Sequence, residues 1–206
     1  MPARNVIKQY TEDAYYHVYN RGVEKRAIFQ DDQDYTVFLN LLKRHLSGKT
    51  QSDKRGTPYE TYEGKLELLA YSLMTNHFHL LFYLSQDATS VTKLMRRVAG
   101  AYTTYFNKKY RRVGHLFQGV YKCSKITNEA YLHHISRYIH LNARDYKAWP
   151  YSSYPYYRGK YKSDWVMPGK VLQLFDNDVR SYEQFMVDYL DHKNMLDELK
   201  HELADM

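Results

Sequence analysis

Two histidines, His77 and His79, stand two residues apart in the stretch Thr75-Asn76-His77-Phe78-His79-Leu80-Leu81-Phe82. They follow Leu68-Leu69-Ala70-Tyr71-Ser72-Leu73-Met74, a run too apolar and aromatic for a surface loop. Residues two apart on a strand share a face. Both imidazoles are therefore expected to aim at one point, with Phe78 turned into the core behind them. Two neutral imidazoles on a rigid strand supply two-thirds of a catalytic metal site, and a further ligand has to come from elsewhere. A second chemistry-bearing segment is Glu129-Ala130-Tyr131-Leu132-His133-His134-Ile135-Ser136-Arg137-Tyr138-Ile139-His140-Leu141-Asn142. Its Leu132, Ile135, Ile139 and Leu141 read as the buried stripe of a helix. Tyr138 and Asn142, four apart, share another face, with His134 one turn earlier. Spacing alone does not exclude Tyr131, two turns before Tyr138.

The elements that must position these groups follow from periodicity. Tyr15–Asn20 alternates and is β-rich, so it predicts a strand that ends at Arg21-Gly22. Asp31-Asp32 caps a helix with Tyr35, Phe38, Leu39, Leu42 and Leu46 on one stripe. Polar residues 47–64 read as a loop. Leu66–Leu73 and His77–Leu84 predict an antiparallel hairpin. Ser90 is expected to cap a helix from Val91 to about Lys108 that buries Leu94, Met95, Val98 and Tyr102. A loop over 114–119, a strand over 121–126 and the helix over 128–142 complete the order. The pattern β-α-β-β-α-β with an appended helix predicts an α+β fold. It is the ferredoxin-like split β-α-β arrangement, an antiparallel sheet with helices on one face. The aromatic, proline-containing stretch Trp149-Pro150-Tyr151-Ser152-Ser153-Tyr154-Pro155-Tyr156-Tyr157 is expected to wrap over that domain. Beyond it, Tyr189, Leu190, Met195, Leu196, Leu199 and Leu203 keep helical spacing in an acidic tail. We divide the chain into a catalytic domain over 1–145 and a C-terminal extension over 146–206.

The 206 residues suit one substantial domain with extensions. A single cysteine, Cys123, rules out an internal disulfide framework. There is no apolar signal region, and no stretch approaches the roughly 18 apolar residues of a spanning helix. The expectation is a cytoplasmic protein without membrane association. Charge is uneven: three of the 30 Lys/Arg and nine of the 23 Asp/Glu fall in residues 171–206, which net −6, leaving +13 on the remainder. Such a body points to a polyanionic partner, most often nucleic acid. The 23 tyrosines fit that partner, because the ring stacks on unpaired bases and the hydroxyl bonds phosphate. Arg21, Arg96, Arg97, Lys108, Lys109, Arg111 and Arg112 are the candidate track.

These segments together resemble the single-tyrosine HUH transposases, and most closely the REP-associated tyrosine transposases. His77-Phe78-His79 matches the histidine–hydrophobic–histidine motif of the name. Tyr16-His17-Val18-Tyr19-Asn20-Arg21-Gly22 with Ile28-Phe29 resembles the first-strand signature. Gly114-His115-Leu116-Phe117-Gln118 is similar to the loop before the last strand, and Arg137-Tyr138-Ile139-His140-Leu141-Asn142 to the tyrosine helix. Trp149-Pro150-Tyr151-Ser152-Ser153 resembles the tail that follows it. The match runs over about residues 14–157 in the expected order.

The resemblance implies that His77 and His79 ligate a divalent metal, Mg²⁺ or Mn²⁺, and that Tyr138 is the nucleophile. Asn142 takes the place of a polar third ligand, directly or through a bridging water, where some relatives carry glutamine. His134 reads as a residue behind the ligands or on the surface. The implied reaction is cleavage and transfer of single-stranded DNA with hairpin ends through a 5′-phosphotyrosine. The implied location is the nucleoid. Monomer and homodimer both remain open, as does a tyrosine supplied within or between chains. Two other readings compete: a non-catalytic nucleic-acid-binding module on a ferredoxin-like sheet, and a replication-initiator or relaxase-type HUH nuclease.

Overall fold

Leu66–Met74 and His77–Leu84 form a tight antiparallel hairpin, and the rest of the molecule is arranged around it. A computed structural model describes residues 8–190. The strands are β1 (Ala14–Arg21), β2 (Leu66–Met74), β3 (His77–Leu84) and β4 (Lys122–Ile126). The helices are α1 (Asp32–Leu46), α2 (Ser90–Lys109), α3 (Glu129–His140) and the single turns α4 (Tyr154–Tyr157) and α5 (Gly169–Leu172). A last helix occupies 179–190. The sheet order is β2-β3-β1-β4, with every pair antiparallel, which is the split β-α-β topology expected.

Alternation divides the central strands between two environments. Tyr16 and Val18 of β1 and Phe78, Leu80 and Phe82 of β3 face α1 and α2, and all five are buried. Burying one such side chain contributes roughly 1.5–3 kcal/mol. His17, His79 and Leu81 point to the opposite face, which α3 and the C-terminal segment cover. The helices therefore lie on both faces: α1 and α2 on one, the appended α3 on the other.

α1 begins where Asp31 accepts a hydrogen bond from the Asp34 backbone N–H. Asp34 itself is fully buried and is matched by Lys109 of α2, by Tyr105 and Tyr110, and by the backbone N–H of Gln30. The start of α2 differs from the sequence expectation. Thr89 is the cap and Ser90 the first helical residue, its hydroxyl buried without a partner. Asp87 accepts from both the backbone and the hydroxyl of Thr89, so the chain turns one residue earlier.

The aromatic stretch after α3 runs along β2. Tyr151 O accepts from Leu73 N, Ser153 N donates to Tyr71 O, and Trp149 Nε1 donates to Leu73 O at 3.0 Å. Tyr151 also stacks on Tyr35 of α1 at 3.8 Å. Further along, Met167 N donates to Leu68 O, and the Tyr157 hydroxyl donates to Leu69 O beside a bulge in β2. This is why β2 is buried along nearly its whole length although it is an edge strand. The expected tail positions Met195, Leu196, Leu199 and Leu203 lie outside the described residues. No helix among the described residues is long and apolar enough to cross a membrane.

Candidate active site

The β1–β3 register sets the site. Tyr19 pairs with His79 and Arg21 with His77, so all four project from one sheet face. The turn Thr75-Asn76 that launches β3 is clamped by the segment after β1. Gly22 N donates to Asn76 O, and Ile28 N and Phe29 N both donate to Thr75 O. Gly22 is required there, because a Cβ would sit 2.2 Å from Arg26 O.

His77 is half-buried and His79 nearly fully buried, their ring centroids 5.2 Å apart. His77 Nδ1 lies 2.6 Å from Asn76 Oδ1, and its Nε2 lies 2.8 Å from Asn142 Oδ1. His79 Nδ1 lies 2.8 Å from His17 Nε2. Burial pushes the His17 ring down to about 4. His79 falls to about 3, chiefly through burial and further through the neighbouring His17 and His77. Both rings are thus neutral near pH 7, the form in which imidazole offers a lone pair.

α3 brings the tyrosine to this pair. Asn128 caps the helix by accepting from Tyr131 N, and Leu132, Ile135 and Ile139 seat it on the sheet. Tyr138 is 51 % exposed, and its ring stands edge-on to His79 at 5.2 Å and to His17 at 6.2 Å. Asn142 lies two residues beyond the last turn of α3, yet its amide still reaches His77. His134 is exposed, and its Nδ1 accepts from Arg137, which is sandwiched by Phe185 and Tyr189 of the last helix. His134, Tyr131, Tyr138, Tyr19, Tyr189 and Leu190 wall a cleft of about 680 Å³ over the histidines.

A second opening of about 450 Å³ reaches His77 and the other side of His79 between Arg21, Lys25, Lys122 and Gln118. Arg21 bonds Gln118, which docks the 114–119 loop beside the site. Lys108 and Lys109 end α2 and Arg111 and Arg112 follow it, and none of the four lines either opening. Arg111 is exposed with a left-handed φ of 50°, whereas Lys109 is committed to Asp31 and Asp34. Arg96 and Arg97 sit about three turns earlier, on the helix behind the opposite sheet face, and Arg97 pairs with Glu60. The structure therefore gathers His77, His79, Tyr138, Asn142 and Arg21, and leaves Arg96 and Arg97 apart from them.

Sequence reasoning gave no role to His17, Asn76, Lys25 or Lys122. The strand alternation Tyr15, His17, Tyr19 was the available signal for His17, since it puts a third imidazole on the histidine face.

Among the described residues, no three His, Cys, Asp or Glu side chains form a cluster that could hold a metal. The donors that do converge are two imidazoles and one amide oxygen. Where Nδ1 of His77 donates to Asn76, its Nε2 lone pair and the Asn142 oxygen 2.8 Å away could both turn to a cation, and Mg²⁺ or Mn²⁺ suits such a mixed N/O set completed by waters.

Residues 58–142 match the family model described as "Transposase IS200 like". The span includes His77, His79, Tyr138 and Asn142, and excludes β1. Among solved structures, the chain is similar to a REP-associated tyrosine transposase bound to a REP hairpin. Its TM-score is 0.54 at 15 % identity, covering 80 % of this chain and 92 % of that one. That likeness concerns the fold. A protein from Deinococcus radiodurans R1 described as a transposase aligns at 16 % identity over 68 % of this chain and 95 % of its own, with a TM-score of 0.38. No curated protein matches the chain.

Proposed function

We propose, from the premise that residues 58–142 belong to the IS200-like transposase family, that this protein cleaves and rejoins single-stranded DNA through Tyr138. The observation that carries this reading is the Tyr138 ring 5.2 Å from that of His79, within one chain. In the reaction the Tyr138 oxygen attacks the scissile phosphorus and the P–O3′ bond breaks. The electron pair leaves on O3′, which takes up a proton. The products are a 5′-phosphotyrosine and a free 3′-OH. A new 3′-OH then displaces the tyrosine, so the bond energy is conserved through both halves.

His77, His79 and Asn142 are the residues that would hold Mg²⁺ or Mn²⁺, whose chemistry is to polarise the phosphate and neutralise charge on its oxygens. Tyrosine ordinarily titrates near 10 and needs such help, or a base, to give up its proton. The open cleft walled by Tyr19, Tyr131 and Tyr189 fits unpaired bases, which stack on aromatic rings. Arg21, Lys25 and Lys122 line the second mouth and would bind the backbone. A hairpin substrate is favoured because the similar solved structure is bound to a REP hairpin. In this proposal residues 1–145 carry the chemistry, the extension 146–206 braces it through its described part along β2, and the protein works at the nucleoid.

Incubation with a single-stranded oligonucleotide bearing a 5′ hairpin and Mn²⁺ should trap a covalent adduct that Tyr138→Phe does not form. An adduct of equal yield in that variant would overturn the assignment. Binding without any adduct or metal dependence would favour the non-catalytic module instead. Because one chain supplies both tyrosine and histidines, a mixture of Tyr138→Phe and His77→Ala proteins should stay inactive. Restored cleavage in the mixture would mean a dimer that exchanges α3.

A further inference from the structure

We propose that His17 and Asn76 position the two ligand imidazoles, each bonding its partner's Nδ1 so that both Nε2 atoms face the site. This inference rests on the ligand roles proposed above for His77 and His79. His17 Nε2 lies 2.8 Å from His79 Nδ1, the two rings tilt by only 17°, and their centroids are 5.0 Å apart. Two five-membered rings of about 1.1 Å radius, joined in line by a bond of that length, have that separation. The contact is a nearly coplanar N–H···N hydrogen bond. Tyr19, not His17, is directly opposite His79, so His17 reaches it along the diagonal between strands.

An N–H···N bond between neutral rings holds one proton. If His79 Nδ1 carries it, His79 Nε2 keeps a lone pair for an ion and His17 carries its own proton on Nδ1. The reverse arrangement puts a proton on His79 Nε2 and aims a donor at the site. Ligation through Nε2 requires the first arrangement.

Asn76 does for His77 what His17 does for His79. Its amide nitrogen donates to Lys25 O at 3.1 Å, which leaves Oδ1 to accept from His77 Nδ1 at 2.6 Å. Both partners are themselves held. His17 is 6 % exposed within β1, and the Asn76 backbone oxygen accepts from Gly22 N at 2.8 Å. The family model does not include His17, its span beginning 41 residues after it.

The test has a metal-free arm and a metal arm. In wild-type protein without metal, two-bond ¹H–¹⁵N correlations should report His79 as the Nδ1–H tautomer, and His17→Phe should lose that preference. In calorimetric titrations with Mn²⁺, His17→Phe should bind about 10- to 100-fold more weakly. His17→Gln, whose amide oxygen accepts from Nδ1–H, should recover affinity to within about threefold, with thermal melts confirming that each variant folds. An Nε2–H tautomer at His79 in wild type would overturn the inference, as would equal Mn²⁺ affinity in His17→Phe and wild type. Failure of the underlying ligand assignment is distinguishable, because Mn²⁺ affinity would then be unchanged in His77→Ala and His79→Ala.

Discussion

The two faces of the β1–β3 pair are made from alternate residues of the same strands, yet they do opposite work. On the α1/α2 face, Tyr16, Val18, Phe78, Leu80 and Phe82 are sealed among aromatic rings from Phe29, Phe38 and Tyr102. On the α3 face, His17, Tyr19, His77 and His79 line clefts open to solvent. On the proposed function, disturbing the first face should cost stability and disturbing the second should cost chemistry. A backbone shared by both explains how the histidine geometry can be stiff although the site is open: each histidine is flanked in sequence by a locked core residue.

The sharpest way to break that contrast is to substitute neighbours. His79→Ala should reduce adduct formation at least about a hundredfold while changing unfolding free energy by less than about 2 kcal/mol. Phe78→Ala, one residue away, should cost about 3–5 kcal/mol and lower the melting temperature by roughly 10 °C or more. Equal thermal losses in the two variants would end the division of labour. A smaller effect is expected where the faces meet. Gly22→Ala forces a Cβ against Arg26 O and should cost about 1–3 kcal/mol, with cleavage falling because the Asn76 turn shifts.

A fourth variant probes burial on the α3 side away from the cleft. His140 is fully buried between the Tyr182 and Ser153 hydroxyls, and burial pushes its ring down to about 3. The unfolded ring binds a proton below about 6.5 and the folded ring does not. Its contribution is therefore complete above that pH and is lost as pH falls toward 3, at up to about 1.4 kcal/mol per pH unit. Urea unfolding from pH 7 to 5 should show at least this slope, and His140→Gln should reduce it by up to that amount, with the buried His17 and His79 rings contributing the rest. The smallest effect is expected among the surface cations. Arg111→Ala, exposed just past the end of α2, should lower the salt dependence of single-strand binding by about 0.7 in log–log slope, whereas Arg97→Ala, already paired with Glu60, should leave it unchanged.

Local periodicity made the hairpin, α1, α2 and α3 legible, and with them the side-chain direction of His77, His79 and Phe78. A period of two decides which face a residue joins, whatever the strand order. What the sequence did not disclose depends on pairing between distant segments. His17 meets a residue 62 positions away, and only the β1–β3 register brings them together. Lys109 and Arg97 looked like free cations along α2. Their partners Asp31, Asp34 and Glu60 come from elements whose contact with that helix has no local signature. Asn142 was placed by helical spacing, but α3 ends at His140, and the amide reaches His77 from the following turn.

The stretch laid along β2 has a consequence for how copies of this chain meet. A sheet edge with free N–H and C=O groups invites another strand, and β2 is long and apolar enough to be a hazard of that kind. Tyr151, Ser153 and Met167 occupy its hydrogen-bonding groups first. The other edge, β4, is five residues long and carries exposed Lys122 and Lys125 on opposite faces. Like charges would confront each other if two such edges met. Both edges of the described sheet are thereby fitted to resist strand-to-strand pairing between copies of this chain.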